Sequence, residues 1–287
     1  MRHESPSAFS AVQVRYIVFV WLLLAFYMPG AAFVLSQFEN EWTWYWWEIA
    51  YLYLSHAFLA LTIVIVGVLL GKLPVKACVG RQPTRAELLG GLELTAFLFV
   101  ASIAALYATY YPLSFVAPGF VEWWYINTAD VIYSDGVSYP ILPNLLGLLS
   151  LCVVTPVLEE IAFRGMILPR WTRKWGLRAG IVGSSAVFAV VHSDPIGAFL
   201  FGVGMCVLYL KTHSLILPIV CHASNNLVVW LLELWHRIGQ GPEYVYTLQE
   251  FQSEWIWGVI CGVVGAFWVA LYFKRPKSSV PWTLPVT

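Results

Sequence analysis

Residues 141–168, ILPNLLGLLSLCVVTPVLEEIAFRGMIL, form an apolar run that carries only three charged side chains, Glu159, Glu160 and Arg164. As an α-helix with about 1.5 Å of rise per residue, this run is longer than the hydrocarbon core of a bilayer, which is about 30 Å thick. We therefore expect the segment to cross a membrane. Charged residues inside such a segment are costly and by default mark a functional site.

The rest of the chain is also apolar. Of its 287 residues, 60% are hydrophobic and 11% are charged, which lies outside the range of soluble globular domains. We predict an all-α fold, a polytopic membrane helical bundle of about eight transmembrane helices. Six long apolar runs begin near Arg15, Ile49, Leu88, Ile141, Ser214 and Trp255, and two shorter runs cover residues 179–192 and 196–210.

Lysine and arginine residues fall almost only in alternate connections between the apolar runs. Because basic loops stay on the cytoplasmic side, this pattern predicts a multi-pass integral membrane protein with both termini in the cytoplasm. Acidic residues such as Glu122, Asp135 and Glu254 dominate the opposite connections. The formal net charge is zero. We therefore expect the lipid bilayer as the surrounding medium and no nucleic acid as a partner.

Glu160 and Arg164 are four residues apart with the acid first, which is the favourable order for an ion pair on one helix face. Glu159 points about 100° away and is left without this partner. One carboxylate is therefore predicted to be structural, while its neighbour can accept a proton. Pro156, just upstream, is expected to loosen the helix. The competing interpretation is that all three charges face the cytosolic headgroups.

Two further polar motifs interrupt apolar runs. Phe188 and His192 are four residues apart, as are His222 and Asn226, so each pair is predicted to share one helix face. Asp194 is expected to cap the following helix or, alternatively, to orient His192. The competing interpretation is structural, because membrane helices also use His and Asn for interhelical hydrogen bonds.

These residue types suit hydrolysis by an activated water molecule. The free carboxylate and one histidine could deprotonate water, while His222 and Asn226 donate hydrogen bonds to a developing oxyanion. Glu159, His192 and His222 could instead bind zinc, although no HExxH spacing is present. The five cysteines lack CxxC spacing, and only Cys221 is a minor candidate nucleophile. We expect no cofactor, with zinc as the alternative.

The three motifs resemble those of the CAAX protease and bacteriocin-processing family of intramembrane proteases, which includes the type II CAAX prenyl endopeptidases. EExxxR is present at residues 159–164, FxxxH at 188–192 and HxxxN at 222–226. The resemblance extends over about residues 140–235. It divides the chain into family-unassigned N-terminal transmembrane helices (1–140), a catalytic core (141–235), and a last transmembrane helix with a cytoplasmic tail (236–287).

The resemblance implies a role for each motif residue. Glu159 and His192 would activate water, His222 and Asn226 would stabilise the oxyanion, and Glu160 and Arg164 would support the site. It also implies peptidase activity on a membrane-associated protein or peptide, prenylated or carrying a C-terminal motif. We expect a bacterial cell membrane as the location. The family has been described both as glutamate-dependent and as metal-dependent, and we favour the metal-free route.

The leading hypothesis is an intramembrane endopeptidase whose substrate reaches a cavity open to the cytosolic leaflet. The alternative is a non-catalytic bacteriocin-immunity or membrane scaffold protein in which the polar motifs hold helices together. A proton-coupled transporter would use the same buried residues. That third hypothesis is weaker because the sequence contains no evident inverted repeat or pair of broken helices.

Overall fold

The computed structural model describes residues 12–24, 44–71, 79–128 and 131–274, and every regular element in these ranges is helical. The termini that we predict to be cytoplasmic lie outside these ranges. The helices are α1 (Arg15–Leu24), α2 (Trp44–Ile63, continued by a π-helix at Val64–Leu70), α3 (Arg85–Val116), α4 (Pro118–Trp124), α5 (Ile141–Trp175), α6 (Leu177–Ala189), α7 (Pro195–Thr212), α8 (Ile216–Gln240), α9 (Leu248–Ser253) and α10 (Trp255–Lys274).

The predicted all-α membrane bundle is confirmed. Helices α2, α3, α5, α7 and α8 are long and apolar enough to cross a membrane, and α1, α6 and α10 contain shorter apolar helices. Each of the eight predicted apolar runs therefore includes a helix in the described ranges, although the run at 179–192 leaves its helix after Ala189. The number of helices that span the bilayer stays a prediction. A helix suits lipid because it satisfies its own backbone hydrogen bonds. Large side chains such as Leu61, Val263 and Phe267 are exposed on the outer faces.

Apart from interior residues such as Glu159, Glu160 and Arg164, most charged residues lie at two opposite ends of the bundle. The basic end comprises the start of α3 and the connections on either side of the α6–α7 hairpin, with Arg81, Arg85, Lys174, Arg178 and Lys211. The acidic end comprises the connections after α3, α8 and α9, with Glu122, Glu243, Glu250 and Glu254. By the positive-inside rule, the basic end is the predicted cytoplasmic side.

Helix α5 is not a uniform α-helix. It contains two π-helical stretches, Ser150–Val154 and Ile161–Ile167, which enclose a short α-helical turn at Thr155–Glu160. Pro156 lies at the start of that turn, where its ring and its missing N–H disfavour regular α-helical bonding to the preceding turn. This agrees with the loosening expected there. The two glutamates of the first motif consequently lie between two irregular stretches.

Helix α3 packs against α7, α8 and α10, while α6 packs against both α7 and the last part of α5. The α6–α7 hairpin therefore lies between α3 and α5. This arrangement places the turn of the hairpin, residues 190–194, beside α3 and brings the second motif close to the first.

Candidate active site

Glu160, Arg164 and His222 form a charge cluster in the interior of the bundle. Arg164 Nη1 donates to Glu160 Oε1 at 2.8 Å, and His222 Nδ1 lies 3.0 Å from the same oxygen. Arg164 Nη2 donates to the Gly202 carbonyl at 3.0 Å and so ties α5 to α7. Glu160 and Arg164 are 0% exposed. The predicted ion pair is confirmed, and the interpretation in which these charges face the headgroups is wrong.

Glu159 lies beside this cluster but outside its ion pair. Its Oε2 atom is 3.8 Å from His222 Nε2, is buried, and accepts no hydrogen bond from the described part of the protein. The two carboxylates face one guanidinium, so a neutral cluster needs one proton on either Glu159 or His222. An unbalanced buried charge is costly, so such a proton would stabilise the cluster.

Asn226 contacts the backbone of α5 shortly before the two glutamates. Its Nδ2 atom donates to the Leu151 carbonyl at 2.8 Å, inside the first π-helical stretch, and its Oδ1 atom accepts from Asn225 at 3.4 Å. His222, one turn earlier on α8, contacts the glutamates themselves. The HxxxN motif therefore presents both side chains to α5, as its four-residue spacing predicted.

His192 does not lie on the helix face that the sequence predicted. Helix α6 ends at Ala189, and His192 lies in the turn before α7. Pro195 begins α7 and disfavours helical geometry at Asp194, so the two helices are separate elements. His192 nevertheless contacts its motif partner, since its Nδ1 atom is 2.7 Å from the Phe188 carbonyl oxygen.

This contact determines which ring nitrogen of His192 can act as a base. A carbonyl oxygen only accepts hydrogen bonds, so Nδ1 must carry the proton of the neutral imidazole. Nε2 then has the free lone pair and is suited to accept a proton from water. Asp194 does not orient the ring, which was the alternative role considered for it. It caps α7 as predicted, with Oδ1 accepting from the Gly197 N–H at 3.1 Å.

Phe188 connects the motifs through its ring, which is 1% exposed. The ring centroid is 4.4 Å from that of His192 and 6.0 Å from that of His222, and the Arg164 guanidinium carbon lies 4.9 Å from it. The last contact has the geometry of a cation–π interaction. The ring of Phe188 therefore contacts residues of all three motifs.

A cavity of about 730 Å³ joins residues of the second and third motifs. His192, His222 and Asn226 line it, whereas Glu159 is not one of the lining residues and lies behind His222. The lining continues along α3 and α8 to the acidic end, where it includes Tyr107, Glu233, His236, Tyr246 and Glu254. The cavity extends to the end opposite the basic residues. The expected opening toward the cytosolic leaflet stays a prediction, because it depends on the orientation of the bundle.

The acidic end of the cavity contains a carboxylate held by tyrosines. Tyr246 donates to Glu254 Oε2 at 2.7 Å and Tyr107 donates to the same oxygen at 3.4 Å. Burial, reinforced by the hydrogen bond to Glu254, raises the pKa of Tyr246 well above its usual range, so Tyr246 remains a neutral donor. Sequence reasoning missed these residues because Glu254 was interpreted as a loop charge. Closely spaced tyrosines before the last apolar run were the available signal.

His56 of α2 is another polar residue that sequence reasoning missed. Its ring nitrogens lie 2.9 Å from Thr155 Oγ1 and 3.4 Å from Ser150 Oγ. These two hydroxyl groups enclose the first π-helical stretch of α5, so His56 supports that stretch from the side of α2. A lone histidine in an apolar run was the signal that could have found it.

The predicted zinc ligands do not assemble into a metal site. Within the described ranges, no three His, Cys, Asp or Glu side chains are grouped closely enough to hold a metal ion. Glu159 and His222 approach each other, but His192 does not join them as a third ligand. A structural or catalytic zinc needs at least three protein ligands. We therefore derive no step through a metal.

Comparison with known proteins supports the identity of the three motifs. Residues 141–228 match the family described as type II CAAX prenyl endopeptidase Rce1-like, and this range contains every motif residue. The resemblance indicated by EExxxR, FxxxH and HxxxN is thereby confirmed. No curated protein and no solved structure matches the chain.

The fold and the match together define a general class. The protein is an integral membrane protein with several apolar helices, and the match supports a CAAX-type intramembrane protease. The division of the chain at residues 140 and 235 stays a prediction, as do the individual roles of the site residues.

Proposed function

We propose that this protein is an intramembrane endopeptidase that hydrolyses a peptide bond by a water molecule activated by Glu159 and His192. The observation that carries the proposal is the convergence of the three motifs: His192, His222 and Asn226 line one cavity, and Glu159 lies 3.8 Å behind His222 Nε2. A purely structural role does not require a His192 ring nitrogen to be available at the cavity.

The proposed hydrolysis assigns one task to each side chain. The water oxygen attacks the scissile carbonyl carbon while its proton passes to His192 Nε2 or, by way of His222 Nε2, to Glu159. The resulting oxyanion accepts hydrogen bonds from the second N–H of the Asn226 amide and from Nε2–H of a protonated His222. The neighbouring carboxylates stabilise that imidazolium. The abstracted proton then moves to the leaving amine nitrogen as the C–N bond breaks.

The proposed substrate is a membrane-associated protein or peptide with an apolar portion. Leu98, Phe99, Ile103, Leu106 and Leu232 line the cavity between its two ends and offer an apolar path for such a portion. A prenyl group and a run of apolar side chains both fit this description. A prenylated and an unprenylated reporter of the same peptide sequence would separate the two.

The proposed orientation places the basic end and both termini in the cytoplasm of a bacterial cell. The cavity would then extend toward the non-cytoplasmic side of the membrane. Single cysteines at Glu243 and Lys174, tested with a membrane-impermeant thiol reagent on intact cells, provide the test. Labelling at position 243 alone supports this orientation, and labelling at position 174 alone reverses it.

The decisive experiment measures peptide cleavage by the purified, detergent-solubilised protein. Glu159→Gln is compared with Glu122→Gln, which removes an exposed carboxylate at the acidic end. We expect Glu159→Gln to lose at least about 100-fold in kcat while its unfolding temperature stays near that of the wild type. Each protein is also assayed with a chelator, because cleavage lost to chelation and restored by zinc would contradict the metal-free route.

The same experiment separates the endopeptidase from the scaffold alternative. Undiminished cleavage by a folded Glu159→Gln protein would rule out the proposed role of Glu159. A scaffold predicts instead that substitutions in the motifs reduce accumulation of the protein and that the wild type cleaves no reporter peptide.

A further inference from the structure

The turn that carries His192 is held by a helix outside the residues that match the family. Toward α6, His192 donates its backbone N–H to the Ala189 carbonyl at 3.0 Å, and its ring contacts the Phe188 carbonyl. The next two residues, Ser193 and Asp194, connect it to α7. Both of them are hydrogen-bonded to α3, which precedes the matched residues 141–228.

Two hydroxyl groups of α3 make these bonds. Ser102 Oγ donates to Asp194 Oδ2 at 2.5 Å, and Tyr110 Oη donates to the Ser193 carbonyl at 2.7 Å. Ser102 and Tyr110 are eight residues apart, slightly more than two helical turns, and so face the same neighbour. The second oxygen of Asp194 caps α7. Hydrogen bonds from α3 therefore hold both Ser193 and Asp194, the two residues that directly follow His192.

The donors are themselves held in place. Tyr110 is 3% exposed and its ring stacks on that of Tyr125 at a centroid distance of 5.3 Å. The Tyr125 ring also contacts Phe251, with a centroid distance of 5.5 Å. Tyr110 is therefore part of the packed aromatic cluster at the acidic end. A side chain whose rotamer is fixed by packing can position another group more accurately than a mobile one.

Gly197 allows the close approach on which the Ser102 bond depends. A Cβ atom at this position would overlap the carboxylate of Asp194 and the side chain of Ser102. The first turn of α7 can therefore lie against α3 only because position 197 has no side chain. The contact thus involves α3, the turn and α7 together.

We propose that Ser102 and Tyr110 are positioning residues for His192, so that α3 completes an active site whose motif residues all lie in the family-matched part. They act through the backbone of Ser193 and the side chain of Asp194 and have no assigned contact with the reacting atoms. Loss of either hydroxyl lets the turn shift and moves His192 Nε2 away from the proton that it accepts. This inference rests on the proposed function.

The test compares Ser102→Ala and Tyr110→Phe with Thr109→Val. Thr109 is the matched control, because its hydroxyl donates to the Ala105 carbonyl within α3 and does not contact the turn. We expect each test variant to lose about tenfold in kcat with KM changed by less than about twofold, since small misplacements of a catalytic group chiefly affect the chemical step. Thr109→Val is expected to retain the wild-type kcat.

Two further measurements distinguish positioning from loss of structure. Unfolding temperatures in detergent identify any variant whose kcat falls only because less protein is folded, and such parallel losses would overturn the proposal for that residue. Nuclear magnetic resonance of ¹⁵N-labelled histidine detects the His192 ring directly. We expect the His192 resonances to shift in Ser102→Ala and Tyr110→Phe and to stay unchanged in Thr109→Val.

The outcomes also separate this inference from the proposed function. If cleavage requires His192 but is unaffected in both α3 variants, the positioning role is wrong and the endopeptidase assignment stands. If the wild type cleaves no peptide, the histidine resonances still decide: shifts confined to the two α3 variants support positioning, and unchanged resonances overturn it.

Discussion

Helices α3 and α5 are both long enough to cross a bilayer, yet they are built in different ways. Helix α3 is α-helical over all 32 of its residues and begins with a capping box, in which Thr84 and Glu87 satisfy each other's backbone N–H groups. Helix α5 spans 35 residues but includes two π-helical stretches and three buried charged residues. Helix α3 is regular apart from Pro112 near its end, and α5 carries the candidate site.

The difference indicates that α5 carries the proposed reacting groups, while α3 holds the residues around them in position. π-Helical stretches weaken regular hydrogen bonding and are frequent at functional sites. In α5 they enclose Glu159 and Glu160 and give Asn226 a backbone carbonyl to bind. The regular α3 instead offers hydroxyl groups at fixed positions. We expect substitutions in α5 to be more damaging than comparable ones in α3.

Arg164→Met should have the largest effect on stability. It leaves Glu160 buried without its cation, and removing one partner of a buried ion pair typically costs about 3–5 kcal/mol of unfolding free energy. We expect little folded protein, measured as the monodisperse fraction in detergent. Arg178→Met, which removes an exposed arginine of α6, should accumulate normally. Equal yields for the two variants would contradict the structural role of the buried ion pair.

The adjacent glutamates should respond differently to the same substitution. Glu160→Gln leaves the Arg164 guanidinium without its counter-ion and should lower the unfolding free energy by about 3 kcal/mol. Glu159→Gln alters a carboxylate outside the ion pair, and we expect a change in unfolding free energy below about 1 kcal/mol. Denaturant titration followed by tryptophan fluorescence measures both. The reverse order would exchange the structural and chemical roles.

Phe188→Leu should have an intermediate effect. It removes the ring that contacts Arg164 and His192, and cation–π and ring contacts of this kind contribute about 1–2 kcal/mol when desolvated. We expect a lower unfolding temperature together with reduced kcat. Phe267→Leu, on the exposed face of α10, is the control and should change neither quantity. A kcat that survives in Phe188→Leu would show that the ring contributes to stability alone.

Thr84→Ala should have the smallest effect because it weakens only the first turn of α3. Loss of an N-cap side chain typically costs about 1 kcal/mol. Since the cap lies at the basic end, far along α3 from Ser102, kcat should stay at the wild-type value. Thr62→Ala removes a hydroxyl bonded only within α2 and provides the comparison. A fall in kcat for Thr84→Ala alone would show that α3 transmits changes along its length.

Much of the fold and part of the site could be predicted from the sequence. Apolar runs longer than the bilayer predict helices because lipid leaves the backbone no other partner. The four-residue spacing of Glu160 and Arg164 predicts their ion pair, and the spacing of His222 and Asn226 predicts a shared face. The position of His192 could not be predicted in this way. Helix α6 ends at Ala189, before that residue, so spacing no longer fixes its direction.

The sequence by itself determined the helices, the division into a basic and an acidic end, and the residue types of the three motifs. These properties depend on local periodicity and on the transfer of side chains between water and lipid, which each segment expresses alone. Only the tertiary structure decided that the cavity extends to the acidic end and that Ser102 and Tyr110 hold the turn beside His192. Such contacts join residues more than eighty positions apart, and they follow from how whole helices pack rather than from any local pattern.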